Sequence, residues 1–227
     1  MKRRVAPRRA SPTGRSLNER PPRWSVRPKT LLGAHMKRLV IATTNAGKLN
    51  EIRSALGELP NWSLDPLPPG IPSIEETGET FLANAILKAE HYSEAVDDWT
   101  LADDSGLCVA SLEGRPGVHS ARYADNPAAR IQRVLREIDA VPNVRRDAAF
   151  YCALALARRG TIIWTVERHV NGVIAYSASG TGGFGYDPVF LLPELNRTMA
   201  ELNTEEKNRL SARGKSLAEL RKFLMIS

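Results

Sequence analysis

Apolar positions along this chain change period several times after residue 38. Residues 39–43 form a β-rich run, and Thr44-Asn45-Ala46-Gly47 reads as a turn. Residues 48–59 then set Leu49, Ile52, Leu56 and Leu59 on one helical face before Pro60 stops the helix. An irregular stretch around Gly70 leads to a second helix over residues 79–96, supported by Phe81, Leu82, Ala85, Ile86, Ala89, Tyr92 and Val96. Short strands are predicted over 99–102 and 107–110, flanking a tight turn at Asp103-Asp104-Ser105-Gly106. Asn126 followed by Pro127 is an N-cap with proline at the first helical position, opening a helix with Ile131, Val134, Leu135 and Ile138 inside. Residues 148–157 and 161–170 read as a hairpin turning at Arg158-Arg159-Gly160, with a further strand over 173–176. A last helix, 211–225, aligns Leu217, Leu220 and Leu224. Helices mixed with strands, one pair clearly antiparallel, indicate an α/β fold on a mixed sheet.

Composition changes this picture in two places. The 227 residues suffice for one large domain or two small ones, and 42% hydrophobic with 25% charged residues is a globular balance. The longest uncharged apolar run, residues 148–157, is about half a membrane span, so no membrane partner is expected. Cys108 and Cys152 stand apart with no Cys-x-x-Cys or Cys/His cluster, which argues against a disulfide framework or structural zinc and for a reducing, cytoplasmic compartment. The net charge of +7 is unevenly placed. Ten Lys/Arg and one acid fall in residues 1–35, so this segment carries +9 and the remainder −2. Residues 1–35 also hold five prolines and no apolar period, the composition of a disordered arm. Met36 offers an alternative start leading directly into a strand, so the arm reads as an over-extended frame, a solvated arm, or a targeting or nucleic-acid segment. No specific nucleic acid is expected for the body.

Four stretches are candidates for chemistry. Thr43, Thr44, Asn45, Ala46, Gly47 and Lys48 lie between a strand and a helix start, where free N–H groups and the helix dipole attract phosphate. An ordinary βα turn accounts for them equally well, and Ala42 and Leu49 exclude a Walker A loop. Asp103 and Asp104 are adjacent in an extended segment, so only one can face a given cleft, and the other is structural. One carboxylate from this pair and one from Glu75-Glu76 suit Mg²⁺, although two solvated acidic turns remain an alternative. The glycine-rich segment with Phe184, Gly185, Tyr186 and Asp187 can stack a planar base, or anchor its aromatics in a core. Lys207, Arg209, Arg213 and Lys215 form a basic run near a helix entry.

Taken together, Ala42–Ile52, Glu75–Ala89, Ala102–Leu107, Pro116–Tyr123, Gly180–Phe190 and Glu205–Asn208 resemble, in order, the blocks of the inosine triphosphate pyrophosphatase family. These are house-cleaning enzymes for non-standard purine nucleoside triphosphates. The resemblance implies a pyrophosphatase domain over residues 36–227 with a long mixed β-sheet flanked by helices, two lobes with an active-site cleft, and a homodimer. By the same resemblance Thr43 to Lys48 hold the triphosphate, Glu75 and Asp104 work with Mg²⁺, and Asp104 is the proton acceptor. Ser105, Phe184, Gly185, Tyr186, Asp187, Lys207, Ala212 and Arg213 fall at substrate-contact positions. Where the family usually reads Ser-His-Arg, this chain has Ser211-Ala212-Arg213, so one base-side contact is absent. The implied reaction takes inosine, deoxyinosine or xanthosine triphosphate to the monophosphate and pyrophosphate. A Maf-like pyrophosphatase acting on pyrimidine triphosphates is the alternative.

Overall fold

The computed structural model describes residues 36–142 and 145–226; the expectation for the basic segment 1–35 falls outside them. The elements in chain order are β1 (Lys37–Ile41), α1 (Ala46–Leu56), β2 (Trp62–Pro66), α2 (Phe81–Val96), β3 (Trp99–Val109), α3 (Pro127–Asp139), β4 (Asp147–Arg158), β5 (Thr161–Ile174), β6 (Phe190–Leu192), β7 (Arg197–Thr198), α4 (Thr204–Leu210) and α5 (Ala212–Ile226). Seven strands form one sheet in the order β2-β1-β3-β4-β5-β6-β7. β1 pairs in parallel with β2 and β3, and the remaining neighbours are antiparallel, so the sheet is mixed as expected.

Both faces of the sheet are covered. On one, Leu39, Ile41, Leu101 and Leu107 meet Ile52 and Leu56 of α1, Val134 and Ile138 of α3, and Leu217, Leu220 and Leu224 of α5. On the other, Ala102, Ala153, Ala155 and Ala157 make a shallow floor on which α2 lays Phe81, Ala85, Ala89 and Tyr92. Small side chains under α2 let it pack close, while each large side chain fully buried on the opposite face contributes about 1.5–3 kcal/mol.

β3 corrects the sequence reading. Asp103–Gly106 is not a turn between two short strands. It continues one 11-residue strand, paired from Asp103↔Leu154 to Gly106↔Tyr151. Asp and Gly are poor strand formers, but side-chain partners and a long antiparallel neighbour override local propensity. Because the strand is unbroken, alternation puts Leu101, Asp103, Ser105 and Leu107 on the α1/α5 face, and Ala102, Asp104 and Gly106 on the α2 face. The separate strand expected over 173–176 is likewise the end of β5, which runs unbroken to Ile174. Gly172 permits this: a Cβ there would stand 2.6 Å from the Leu191 carbonyl oxygen on β6.

The first helix starts and stops earlier than expected, running over Ala46–Leu56 with Gly57 as its C-cap, so Leu59 lies beyond it; two local expectations hold. Arg159 and Gly160 have φ of 53° and 74°, which is the left-handed pair of a two-residue hairpin joining β4 and β5. The Asn126 side chain accepts from the Ala129 N–H at the start of α3, with Pro127 in the first turn. The final helix is preceded by α4, which the sequence reading left inside a charge run. Asn203 and Glu206 close its N-terminus with a capping box.

Candidate active site

β1 ends at Ile41, and the next four residues turn the chain into α1. The Asn45 side chain caps α1 by accepting the Lys48 N–H at 3.1 Å, and Asn45 N–H bonds Thr43 Oγ1 at 3.2 Å. Thr44, Ala46 and Gly47 therefore keep N–H groups without acceptors among the described residues, at the positive end of an 11-residue helix. Thr44, Asn45 and Ala46 are exposed and Gly47 is half-buried. A Cβ on Gly47 would stand 2.8 Å from Phe184 Cδ1, so glycine lets that ring lie against the loop.

Beside this loop opens a cavity of about 260 Å³. Its walls include Asn45, Lys48, Asp104, Ser105, Phe184, Gly185, Tyr186, Asp187, Lys207, Ala212 and Arg213. The structure thus gathers these predicted residues, from β3, α1, α4, α5 and the 184–187 loop, around one space. Thr43, Thr44, Ala46 and Gly47 border it without lining it, and Glu75 does not line it either.

The two aspartates of β3 separate as alternation requires. Asp103, 3% exposed, meets Lys48 at 3.1 Å and Arg213 at 3.0 Å. Burial alone would raise its pKa, but Lys48 and Arg213 outweigh burial and hold the carboxyl well below its ordinary range. Asp104 points the other way and takes 3.2 Å bonds from Asn84 and Lys88 of α2. Here burial prevails: the carboxyl is raised despite the opposing charges of Lys88 and Lys48. Lys88 also donates to Glu76 at 2.6 Å. Burial opposes charge on Lys88, yet the carboxylates of Asp104, Asp103 and Glu76 keep its pKa raised.

At the other end, Asp187 organises the glycine-rich loop. It accepts the Phe184 N–H at 2.7 Å and Lys207 Nζ at 2.6 Å, and burial raises its carboxyl against the pull of Lys207. Gly183 sits at φ 69°, and a Cβ there would lie 2.1 Å from Asp187 Oδ2. Lys207 Nζ and Arg213 Cζ lie 5.2 and 5.5 Å from the Phe184 ring centre, so the ring rests on two cations. Arg213 bonds Glu51, Asp103 and, at 2.7 Å, Ser105 Oγ; Lys207 also pairs with Glu51 at 2.5 Å. Ala212, 3% exposed, is packed in the core at the edge of the cavity.

Several of these partners escaped the sequence reading. Glu51 holds both cations that lie against Phe184 and stands three residues after Lys48, on the same side of α1; that spacing was the available signal. Asn84 and Lys88 sit one turn apart in the apolar stripe of α2, where two polar residues among alanines mark a buried partner. Of the acidic pair, Glu76 lines the cavity, whereas Glu75 is exposed with no bonded partner among the described residues. The carboxylates of Asp104 and Glu76 converge on a single ammonium, so the hard-oxygen donors that Mg²⁺ prefers are present. Among the described residues no three His, Cys, Asp or Glu cluster as a complete metal cage, so such an ion would take further ligands from water and phosphates.

Known proteins resemble this chain in both sequence and fold. The model of the Ham1 family matches residues 39–223. A dITP/XTP pyrophosphatase of Geobacillus kaustophilus is 50% identical over 189 residues, covering 82% of this chain and 93% of the relative. One of Bacillus subtilis is 45% identical over 194 residues, covering 83% and 98%. The solved structure of a HAM1 protein from Coxiella burnetii superposes with a TM-score of 0.77 at 40% identity, covering 85% of this chain and all of that one. Fold and sequence agree: the chain belongs to the Ham1 family.

Proposed function

We propose that this protein hydrolyses non-standard purine nucleoside triphosphates, namely inosine, deoxyinosine and xanthosine triphosphate, to the monophosphate and pyrophosphate. The observation that carries the reading is one cavity with a phosphate end and a base end. At the first stand Lys48, the free N–H groups of α1 and the buried carboxylate Asp104; at the second, Phe184 on its two cations. The names of the purine-specific relatives support it further, and nothing favours the pyrimidine alternative.

In this reading Asp104 accepts the proton of the water that attacks the α phosphorus, and pyrophosphate departs with the electron pair of the broken bond. Lys48 and the α1 N–H groups stabilise charge building on the phosphates, as phosphoryl transfer requires. Phe184 stacks the purine. Arg213 and Lys207 supply donors to its oxo edge, which suits a 6-oxo purine and leaves the amino group of adenine facing a donor. Mg²⁺, held by Asp104 with Glu75 or Glu76, would supply Lewis-acid neutralisation of the phosphates. The assembly proposed is a homodimer working in the cytoplasm. The free thiols of Cys108 and Cys152, which burial pushes up to about 11 and 12, are consistent with a reducing compartment. No described helix is long and apolar enough to cross a membrane.

Pyrophosphate release from inosine, xanthosine, adenosine, deoxythymidine and uridine triphosphates, with and without Mg²⁺, tests the reading. Turnover confined to the oxo purines and lost on chelation is expected. Preference for a pyrimidine overturns it, and sedimentation checks the dimer.

A further inference from the structure

The cavity is also lined by Val118, Ser120 and Ala121 of the segment 117–122 and by Pro127 and Arg130 in the first turn of α3. The other cations lining the cavity are compensated by carboxylates: Lys48 by Asp103, Lys207 by Asp187 and Glu51, and Arg213 by Glu51 and Asp103. Arg130 is different. Its side chain has no hydrogen bond or ion pair among the described residues, and its Nε is buried without a partner. Arg213 Nε is also buried without a partner, but its terminal nitrogens bond Glu51, Asp103 and Ser105, whereas Arg130 has no such anchor among the described residues. Arg115 and Arg133 bond Glu137, and Arg122 bonds Glu76. A buried guanidinium N–H left unpaired costs free energy that a solvated surface arginine would avoid, so its retention calls for an acceptor that arrives from outside. Arg130 is also the leading charge acting on the Tyr186 hydroxyl, whose pKa burial raises, which places its charge at the cavity edge of the 184–187 loop. Guanidinium favours planar oxyanions, which it binds through two parallel N–H groups.

We propose that Arg130 is a further substrate-binding residue, whose guanidinium takes an anionic oxygen of the bound nucleotide. The inference rests on the pyrophosphatase reading for the identity of that nucleotide. Two oxygens share the required chemistry: those of the triphosphate chain, and the oxo groups of a xanthine base, which ionises near neutral pH. Arg130 has no paired carboxylate to release before such a contact forms.

Arg130→Gln and Arg130→Lys are compared with the wild-type chain for kcat and KM on inosine and xanthosine triphosphates, for inhibition by pyrophosphate alone, and for melting temperature. Arg130→Gln should raise KM by about 10- to 150-fold, the span for a hydrogen bond to a charged group, with the melting temperature unchanged. Arg130→Lys should recover part of that loss. Equal shifts for both nucleotides, with pyrophosphate inhibition weakened alike, assign the contact to the phosphates. A shift for xanthosine triphosphate that exceeds that for inosine triphosphate, with pyrophosphate inhibition unchanged, assigns it to the base. KM and inhibition constants within twofold of wild type in Arg130→Gln overturn the proposal. So does a loss that follows melting temperature and is not relieved by lysine. If the wild-type chain releases no pyrophosphate from either nucleotide, the activity reading fails. Calorimetric affinity of wild type and Arg130→Gln for the same nucleotides then decides the role of Arg130 separately.

Discussion

Asp103 and Asp104 are neighbours on opposite faces of β3, and each predicts a different loss. Asp103→Asn strips a buried carboxylate from Lys48 and Arg213. Breaking a buried pair from one side costs about 3–5 kcal/mol, so the melting temperature should fall on the order of 10 °C. Folding lowers the proton affinity of Asp103, so its stabilisation is complete above the unfolded pKa of about 3.9 and is lost as acid protonates the folded carboxylate. Melting curves between pH 5 and pH 2, the range in which the unfolded chain takes up the proton that the folded carboxylate refuses, should therefore fall more steeply for wild type than for Asp103→Asn. Asp104→Asn should fold normally and lose about 10²–10⁴ in kcat, the contribution of a positioned base. Burial raises the Asp104 carboxyl in the metal-free chain, so its titration followed by NMR without Mg²⁺ should lie above the ordinary carboxylate value. Wild-type turnover in Asp104→Asn would remove it from the mechanism. That the two carboxylates face opposite sides was legible from alternation in an extended chain. The partners were not, because Lys88, Asn84 and Glu51 reach the site from helices, and the convergence of helices is set by packing rather than by local spacing.

At the scale of elements, the misread pieces were those whose local chemistry is overruled by a neighbour. Asp-Asp-Ser-Gly has the composition of a turn, yet β4 and four charged or polar partners hold it straight. Gly106 is where this strand meets the segment 117–122: a Cβ there would lie 2.4 Å from Ser120 Oγ and 2.6 Å from the Gly117 carbonyl oxygen. The Ser120 hydroxyl, in turn, bonds Leu107 N–H at 2.9 Å and the Gly117 carbonyl at 2.6 Å. Gly106→Ala should force this clip apart and cost about 1–3 kcal/mol, the usual penalty of overpacking. It should also raise KM, because Ser120 and Ala121 line the cavity. Urea unfolding with steady-state kinetics checks both; an unchanged midpoint would show that the clip yields without strain. By contrast the α3 cap and the β4–β5 hairpin were legible, since Asn-Pro and Arg-Gly act on their own backbone and need no distant partner.

For the whole molecule, the formal charge divides by sequence into +9 for residues 1–35 and −2 for the rest. A chain starting at Met36 should carry a formal charge of −2 in place of +7, and keep its turnover and melting temperature, because residues 1–35 have too few apolar positions to stabilise a core. Loss of folding on this truncation would show that the composition was misleading. Such a chain would also be optically simpler, since Trp24 is removed and Trp62, Trp99 and Trp164 remain. None of the three lines the cavity. Trp62 Nε1 donates to the Leu224 carbonyl at 3.1 Å and meets Trp99 edge-on at 5.4 Å, while Trp164 stacks on Phe223 at 5.8 Å. Indole emission of the shortened chain is therefore a gauge of how the last turns of α5 are seated, and it should stay nearly constant while nucleotide fills the cavity. Titration with a purine triphosphate should leave the spectrum in place, and trimming the chain after Arg221 should shift it to the red.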